Sequence, residues 1–258
     1  MLHENRRSQH AGDTENVLFL TDFSEPSEAA LPFAVAIARE YGAKVHALHV
    51  LTPTPYVYST PDWTVATIGG QEESAQAEIA RVGAQLAGLP HETMIERGFE
   101  GWPTLEQAVG RCEADIIVLG THGRTGAQKF ILGSVAEEIF RRSSVPVLTI
   151  GPGVHSGRHN GAEFHRVHFA TDFTPESLIA APYAISVAQE NQARLLLLRV
   201  IRDLHHPILG ESSIANVMFK LNELVPKDVE LWCSPETVVA CGNRPNGFWK
   251  RQGNVERT

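Results

Sequence analysis

Ile116-Ile117-Val118-Leu119-Gly120-Thr121-His122-Gly123 is the stretch on which the fold turns: an uninterrupted apolar run, two glycines with two residues between them, and, nine residues later, Gly133-Ser134. A short apolar run stopped by glycine reads as a strand buried on both faces, as in a parallel sheet. Ser134 to Arg142 then has helical spacing, with Arg141 and Arg142 suited to the negative end of the helix dipole. Strand, glycine loop and helix start, in that order, make an anion site. The glycines let the backbone approach a phosphate, and the unpaired amides of the first helical turn, Ser134 and Val135, point at it. The Ser134 hydroxyl adds a hydrogen bond or caps the helix. Thr121, His122 and Arg124 lie inside the loop. Arg124 has the chemistry to pair with a phosphate, or simply to be solvated. His122 has no acid or nucleophile partner at this level, so no catalytic residue is assigned. Glycines after strands often only turn the chain, but three of them in this context read as a phosphate loop.

Outward from that loop, apolar strands alternate with helical segments. Val17 to Thr21 reads as a first strand, and Glu25 to Tyr41 as a helix with Ser24 as N-cap and Gly42 as terminator. Val45 to Leu51 is a second strand. A helix from about Gln71 to Leu86, a strand His91 to Arg97, a helix Leu105 to Arg111, the strand Asp115 to Leu119 and a last strand Pro146 to Ile150 follow. The expected class is α/β, a doubly wound parallel sheet with helices on both faces. Ligands of such sheets gather at the carboxyl ends of the strands, where the winding reverses.

The chain also resembles itself. Val17 to Leu51 aligns with Val167 to Ile201 at a constant offset of 150, and Val17, Phe19, Thr21, Asp22, Phe23, Ser27, Pro32 and Ala38 all recur. Chance gives about one match in twenty, so a tandem duplication is expected. The expected organisation is a polar tail (1–15), a complete domain (16–151), a Gly- and Ser-rich linker (152–163), a truncated second copy (164–242) and a polar tail (243–258). In the second copy Asp172 repeats Asp22, and Val229 to Val239 holds a third strand. The final tail is too polar to build a sheet strand or a phosphate loop, and reads as disordered.

Of the 258 residues 43% are hydrophobic, enough for buried cores. No stretch approaches the roughly 18 apolar residues of a membrane span, and Met1 to Thr14 offers no apolar block for a signal peptide, so a cytoplasmic protein with no membrane partner is expected. Cys112, Cys233 and Cys241 have no metal-ligand spacing and read as incidental thiols. The net charge of −8, without a basic stripe, speaks against nucleic acid. His46, His49, His205 and His206 read as strand or loop residues rather than metal ligands.

Gly120, Gly123, Gly133 and Ser134, with Ile116-Ile117-Val118-Leu119 before them and Val145-Pro146-Val147 after, resemble the phosphate loop of the ATP-binding universal stress proteins. The resemblance covers Asn16 to Gly151 as a whole domain and about Phe164 to Gly242 in part. It implies a five-stranded sheet of order 3-2-1-4-5, of the adenine nucleotide alpha hydrolase type, which brings the end of the first strand beside the loop. It implies that Asp22 helps hold the nucleoside, as a carboxylate accepting from ribose hydroxyls or the adenine amino group does. The other role open to Asp22 is to shape the turn into the first helix. The resemblance also places the main chain of Val50 against adenine, and it implies association through the last strand, here as a homodimer of first domains.

The function that follows is a cytosolic ATP-binding stress protein in which occupancy changes shape or association. Mg2+ would arrive with the phosphates, and ATP hydrolysis would be slow at most. The alternative is an association module of the same fold without a nucleotide. An adenylating enzyme is a poorer reading, because neither a P-loop with its Lys-Ser/Thr ending nor a Ser-Gly-Gly loop is present.

Overall fold

The computed structural model describes residues 14–51, 64–98, 102–121, 134–151, 164–201, 211–226, 235–241 and 250–251. The chain divides into two compact units, one from Asp13 to Ala162 and the other taking in Glu163–Thr258.

The first unit runs β1 (Asn16–Leu20), α1 (Glu25–Tyr41), β2 (Lys44–Leu51), α2 (Thr64–Gln85), β3 (His91–Arg97), α3 (Trp102–Arg111), β4 (Ile116–Gly120), α4 (Ser134–Arg142) and β5 (Val147–Ile150). All five strands are parallel, in the order β3-β2-β1-β4-β5, the expected one. Side chains alternate between the two faces of a strand, so each face gathers its own core. Val17, Phe19, Val45, Ala47 and Val118 pack on one side with Ala30, Leu31, Ala34 and Ala38 of α1 and Ile79 and Val82 of α2. Leu18, Leu48, Ile117 and Leu119 pack on the other with Trp102, Leu105, Ala108 and Val109 of α3 and Ala136 and Ile139 of α4. Both faces of β1 and β4 are therefore covered, which is why these strands read as continuous apolar runs.

Gly42 terminates α1 as expected. It adopts the left-handed conformation (φ 67) that a Cβ disfavours, and its N–H reaches the Ala38 carbonyl. The helices α2 and α3 start earlier than their apolar periodicity suggests, at Thr64 and Trp102. Gly69 and Gly70 read as a break in the first case, because glycine weakens a helix by about 1 kcal/mol. In the second, Pro103 fits the first helical turn, where no N–H is required.

The second unit runs β6 (Arg166–Ala170), α5 (Pro175–Ile179), α6 (Ala181–Glu190), β7 (Arg194–Ile201), α7 (Glu211–Glu223), β8 (Glu236–Cys241) and β9 (Lys250–Arg251). Its sheet order is β6-β7-β8-β9, with the first three strands parallel and β9 antiparallel. Phe169, Leu195, Leu197 and Val239 form its core with Ala181 and Ala188 of α6 and Leu221 of α7. The expectation that the final tail builds no strand is corrected: Lys250–Arg251 pairs with Ala240 and Cys241. Backbone pairing depends little on side-chain polarity, and the outer edge of β8 offers it N–H and C=O groups.

Candidate functional site

Leu20 of β1 is in register with Leu48 of β2 on one side and with Leu119 of β4 on the other. Asp22, Val50 and Thr121 each lie two residues beyond that rung, at the carboxyl end of three adjacent strands. This is the switch point of the sheet, where β1 connects toward β2 on one side and β4 lies on the other. Of the residues singled out in the sequence, Asp22, Val50, Gly120 and Thr121 are thus brought to one end of the sheet. Ser134 and Val135 open α4. His122, Gly123, Arg124 and Gly133 lie outside the described residues.

The turn after β1 is built by its own side chains. Phe23 takes a left-handed backbone (φ 61), a conformation that costs a non-glycine residue about 1–3 kcal/mol. A chain of hydrogen bonds holds it there. Phe23 N–H donates to Thr21 Oγ1 at 3.0 Å, the Thr21 and Ser27 hydroxyls lie 3.0 Å apart, and Ser27 Oγ donates to the Ser24 carbonyl at 3.0 Å. Each hydroxyl has one proton, so Thr21 must donate to Ser27 for the chain to close. Thr21 and Ser27 are buried, where an unmet hydroxyl is costly.

Asp22 Oδ1 accepts from the Ser24 N–H at 3.1 Å and from the Ser24 hydroxyl. Ser24 does stand at the N-cap of α1, but its side chain makes no capping bond. The expected N-cap position is thus borne out, while the Ser24 hydroxyl donates to the Asp22 carboxylate and accepts from no helix amide.

Sequence reading missed His49 and part of what Gly120 does. His49 is buried, its Nδ1 lies 2.8 Å from the Thr21 carbonyl, and its ring centroid is 4.3 Å from that of Phe23. A carbonyl only accepts, so Nδ1 carries the proton. A Cβ on Gly120 would lie 2.5 Å from the Pro26 carbonyl oxygen and 2.9 Å from Ser27 N. Glycine is needed there so that β4 can abut the first turn of α1. Thr121 closes the end of the sheet through bonds from its N–H (2.9 Å) and hydroxyl (3.2 Å) to the Ile150 carbonyl.

The second unit repeats the turn. Phe173 has φ 64, its N–H donates to Thr171 Oγ1 at 2.9 Å, and the Thr171 and Ser177 hydroxyls are 2.8 Å apart. Arg199 stands where His49 does, with Nη1 3.2 Å from the Thr171 carbonyl and its guanidinium 5.5 Å from the Phe173 ring centre. Asp172 accepts from the Thr174 hydroxyl and N–H, which hold its carboxyl down at about 2. Among the described residues this unit has no counterpart of Gly120 or α4.

Chemically, the end of the first sheet offers an acceptor carboxylate, main-chain groups and a strand that ends in glycine. Among the described residues no group of three His, Cys, Asp or Glu side chains is placed to hold a metal ion, and no helix is long and apolar enough to cross a membrane. His46 and His49 sit in β2, whereas His205 and His206 fall outside the described residues. Cys112 is buried, and burial pushes its thiol up.

A doubly wound α/β domain with a polar cluster at its switch point belongs to a well-populated fold class. Within that class, the universal stress protein family profile matches residues 14–151, more than half of the chain, and the chain belongs to that family. It is 30% identical over 142 residues to universal stress protein MJ0531 of Methanocaldococcus jannaschii, taking in 53% of this chain and 81% of that one. It is 28% identical over 138 residues to the universal stress protein in the QAH/OAS sulfhydrylase 3′ region of Thermus aquaticus, taking in 53% and 98%. The crystal structure of a universal stress protein from Archaeoglobus fulgidus is similar in fold, with a TM-score of 0.62 at 22% identity over 90% of this chain and 80% of that one.

Proposed function

We propose that the first unit is an ATP-binding module of the stress response, in which nucleotide occupancy changes conformation or association in the cytoplasm. The observation that carries the reading is that Asp22, Val50 and Thr121 each lie two residues past the rung of Leu20, Leu48 and Leu119 at the switch point, next to the glycine that ends β4. In this reading Asp22 accepts from the nucleoside and the main chain of Val50 meets adenine. Gly120, Thr121, His122, Gly123, Arg124, Gly133, Ser134 and Val135 surround the phosphates in this reading, through backbone amides other than that of Thr121, which the Ile150 carbonyl holds, with Mg2+ carried in by the phosphates. The role is binding, with hydrolysis slow at most, because among the described residues no base stands ready to activate water. Residues 16–151 act as the working domain, 164–242 as a degenerate copy, and β5 as a homodimer edge. Nucleic acid and membrane are not partners in this reading.

A second reading is an association module without ligand. It is favoured by Asp22 and Asp172 binding Ser24 and Thr174 in the same way, which gives both carboxylates a turn-shaping role. Denaturing the purified protein and identifying released nucleotides by mass spectrometry separates the two. ATP or ADP near one equivalent, lost in Gly133→Val, supports the first. An empty protein without measurable ATP affinity supports the second.

A further inference from the structure

In the first unit both edges of β1 are occupied, and β4 fills the edge away from β2. The start of that pairing is fixed by one carboxylate. Asp115 Oδ2 accepts the N–H groups of Glu15 at 2.8 Å and Asn16 at 2.9 Å, and the Asp115 N–H donates to the Asn16 carbonyl at 2.9 Å. The constant offset of 150 places β6 where β1 stands, with Glu15 matched by His165, Asn16 by Arg166, Leu18 by His168 and Lys44 by Arg194. Among the described residues β6 is the last strand of its sheet. His165 O and Thr171 N bond to β7, so the strand alternation turns the N–H and C=O groups of Arg166, His168 and Ala170 to the opposite edge.

Two of the substituted positions change the chemistry of that edge, one of them its charge. Where the first unit has Asn16 and Leu18, exposed Arg166 and His168 stand in the second. They share an open hollow with Arg194, Leu196 and Glu236 on the sheet face that α3 and α4 cover in the first unit. Leu196, Leu198 and Val200 lie half-buried along that face. Cations at the rim and aliphatic side chains behind them match an apolar segment with a carboxylate at its head.

We infer that the edge of β6 that no described strand occupies is a receptor for an extended apolar segment of a partner polypeptide, headed by an aspartate and added parallel to β6 as β4 is added to β1. Main-chain bonds supply the affinity, and the aspartate sets register on the His165 and Arg166 amides beside the Arg166 guanidinium. A second copy of this chain is a poorer match, because antiparallel pairing of two β6 edges centred on His168 sets Arg166 opposite Ala170 and brings it no carboxylate. Basic residues on an edge also serve merely to keep it from pairing, and the experiment separates that role from recognition.

The full chain is titrated with a fluorescently labelled, end-blocked peptide of sequence Glu-Ala-Asp-Ile-Ile-Val-Leu-Gly, that of residues 113–120, and amide exchange is followed in parallel. The expected result is saturable binding that protects the amides of residues 166, 168 and 170. It weakens about tenfold when the aspartate of the peptide becomes asparagine, and by at least as much in Arg166→Glu. A folded chain that ignores the peptide up to its solubility limit overturns the proposal. So does binding indifferent to both changes. Protection of the same amides that grows with protein concentration in the absence of peptide also overturns it, and assigns the edge to a second copy.

Discussion

His49 donates from Nδ1 to the carbonyl of Thr21 across 2.8 Å, and so ties the end of β1 to β2 at the point where the chain turns toward Asp22. In the second unit Arg199 ties Thr171 in the same way. His49→Ala removes this bond and the ring contact with Phe23, and is expected to cost about 1–3 kcal/mol in urea unfolding, as for one buried hydrogen bond plus an aromatic pair. His49→Arg, which adopts the arrangement of the second unit, should recover much of that loss. Equal losses in the two variants would show that the tie to Thr21 is not what the position supplies.

Gly120→Ala places a methyl group 2.5 Å from a backbone oxygen of α1, and backbone has no rotamer with which to yield. The expected loss is about 1–3 kcal/mol, the usual cost of overpacking, read as a lower midpoint of thermal unfolding. The exposed Gly88→Ala gives no such clash, but it strains a φ of 95 and so serves as the comparison for backbone strain without contact. A Gly120→Ala protein as stable as the parent contradicts the close approach.

His46 is buried in β2, with Nε2 3.1 Å from Asn16 Oδ1 and Nδ1 3.6 Å from Glu92, while Lys44 holds the same carboxylate. Burial first, and then the Lys44 charge, lower the affinity of this imidazole for protons, and Glu92 opposes them in part. The unfolded chain therefore binds the proton more readily, and His46 lowers stability as pH falls through 6.5 toward its depressed folded value. His46→Leu should flatten that part of the stability profile while leaving pH 8 little changed. A variant with the same slope as the parent between pH 5 and 7 would remove His46 as its source.

β5 is the outer strand of the first sheet, with Val147 and Thr149 half-buried, and the helix leading into it leaves Phe140 63% exposed. A homodimer through this edge should be visible by light scattering at micromolar concentration. It should dissociate when charges are placed at Val147 and Thr149 together. A strict monomer, or a dimer indifferent to those charges, contradicts the assignment of the edge.

Strands β1 and β4 were legible because both of their faces are buried, which leaves unbroken apolar runs, and α1 because its alanines recur at helical spacing. The convergence of Asp22, Val50 and Thr121 just past the rung of Leu20 needs the strand order, which periodicity does not contain and resemblance supplied. The demand on Gly120 comes from Pro26 and Ser27, far away in sequence, so a glycine after a strand looked like part of a loop and nothing more. His49 left no trace in the internal repeat, where arginine replaces it. Ser27 did leave one, since Thr21 and Ser27 recur together as Thr171 and Ser177. β9 was invisible because an open edge, not the residues of the tail, determines it.

The central claim is that one nucleotide site exists per chain and that it lies in the first unit. Calorimetric titration with ATP and Mg2+ on the full chain and on folded Asp22→Ala and Asp172→Ala variants tests it most directly. About one ATP per chain is expected, weakened by Asp22→Ala and nearly unchanged by Asp172→Ala, because the second unit lacks the donors of a glycine loop and helix terminus among its described residues. Two equivalent sites per chain, equal losses from the two substitutions, or no heat of binding in the parent protein would contradict it.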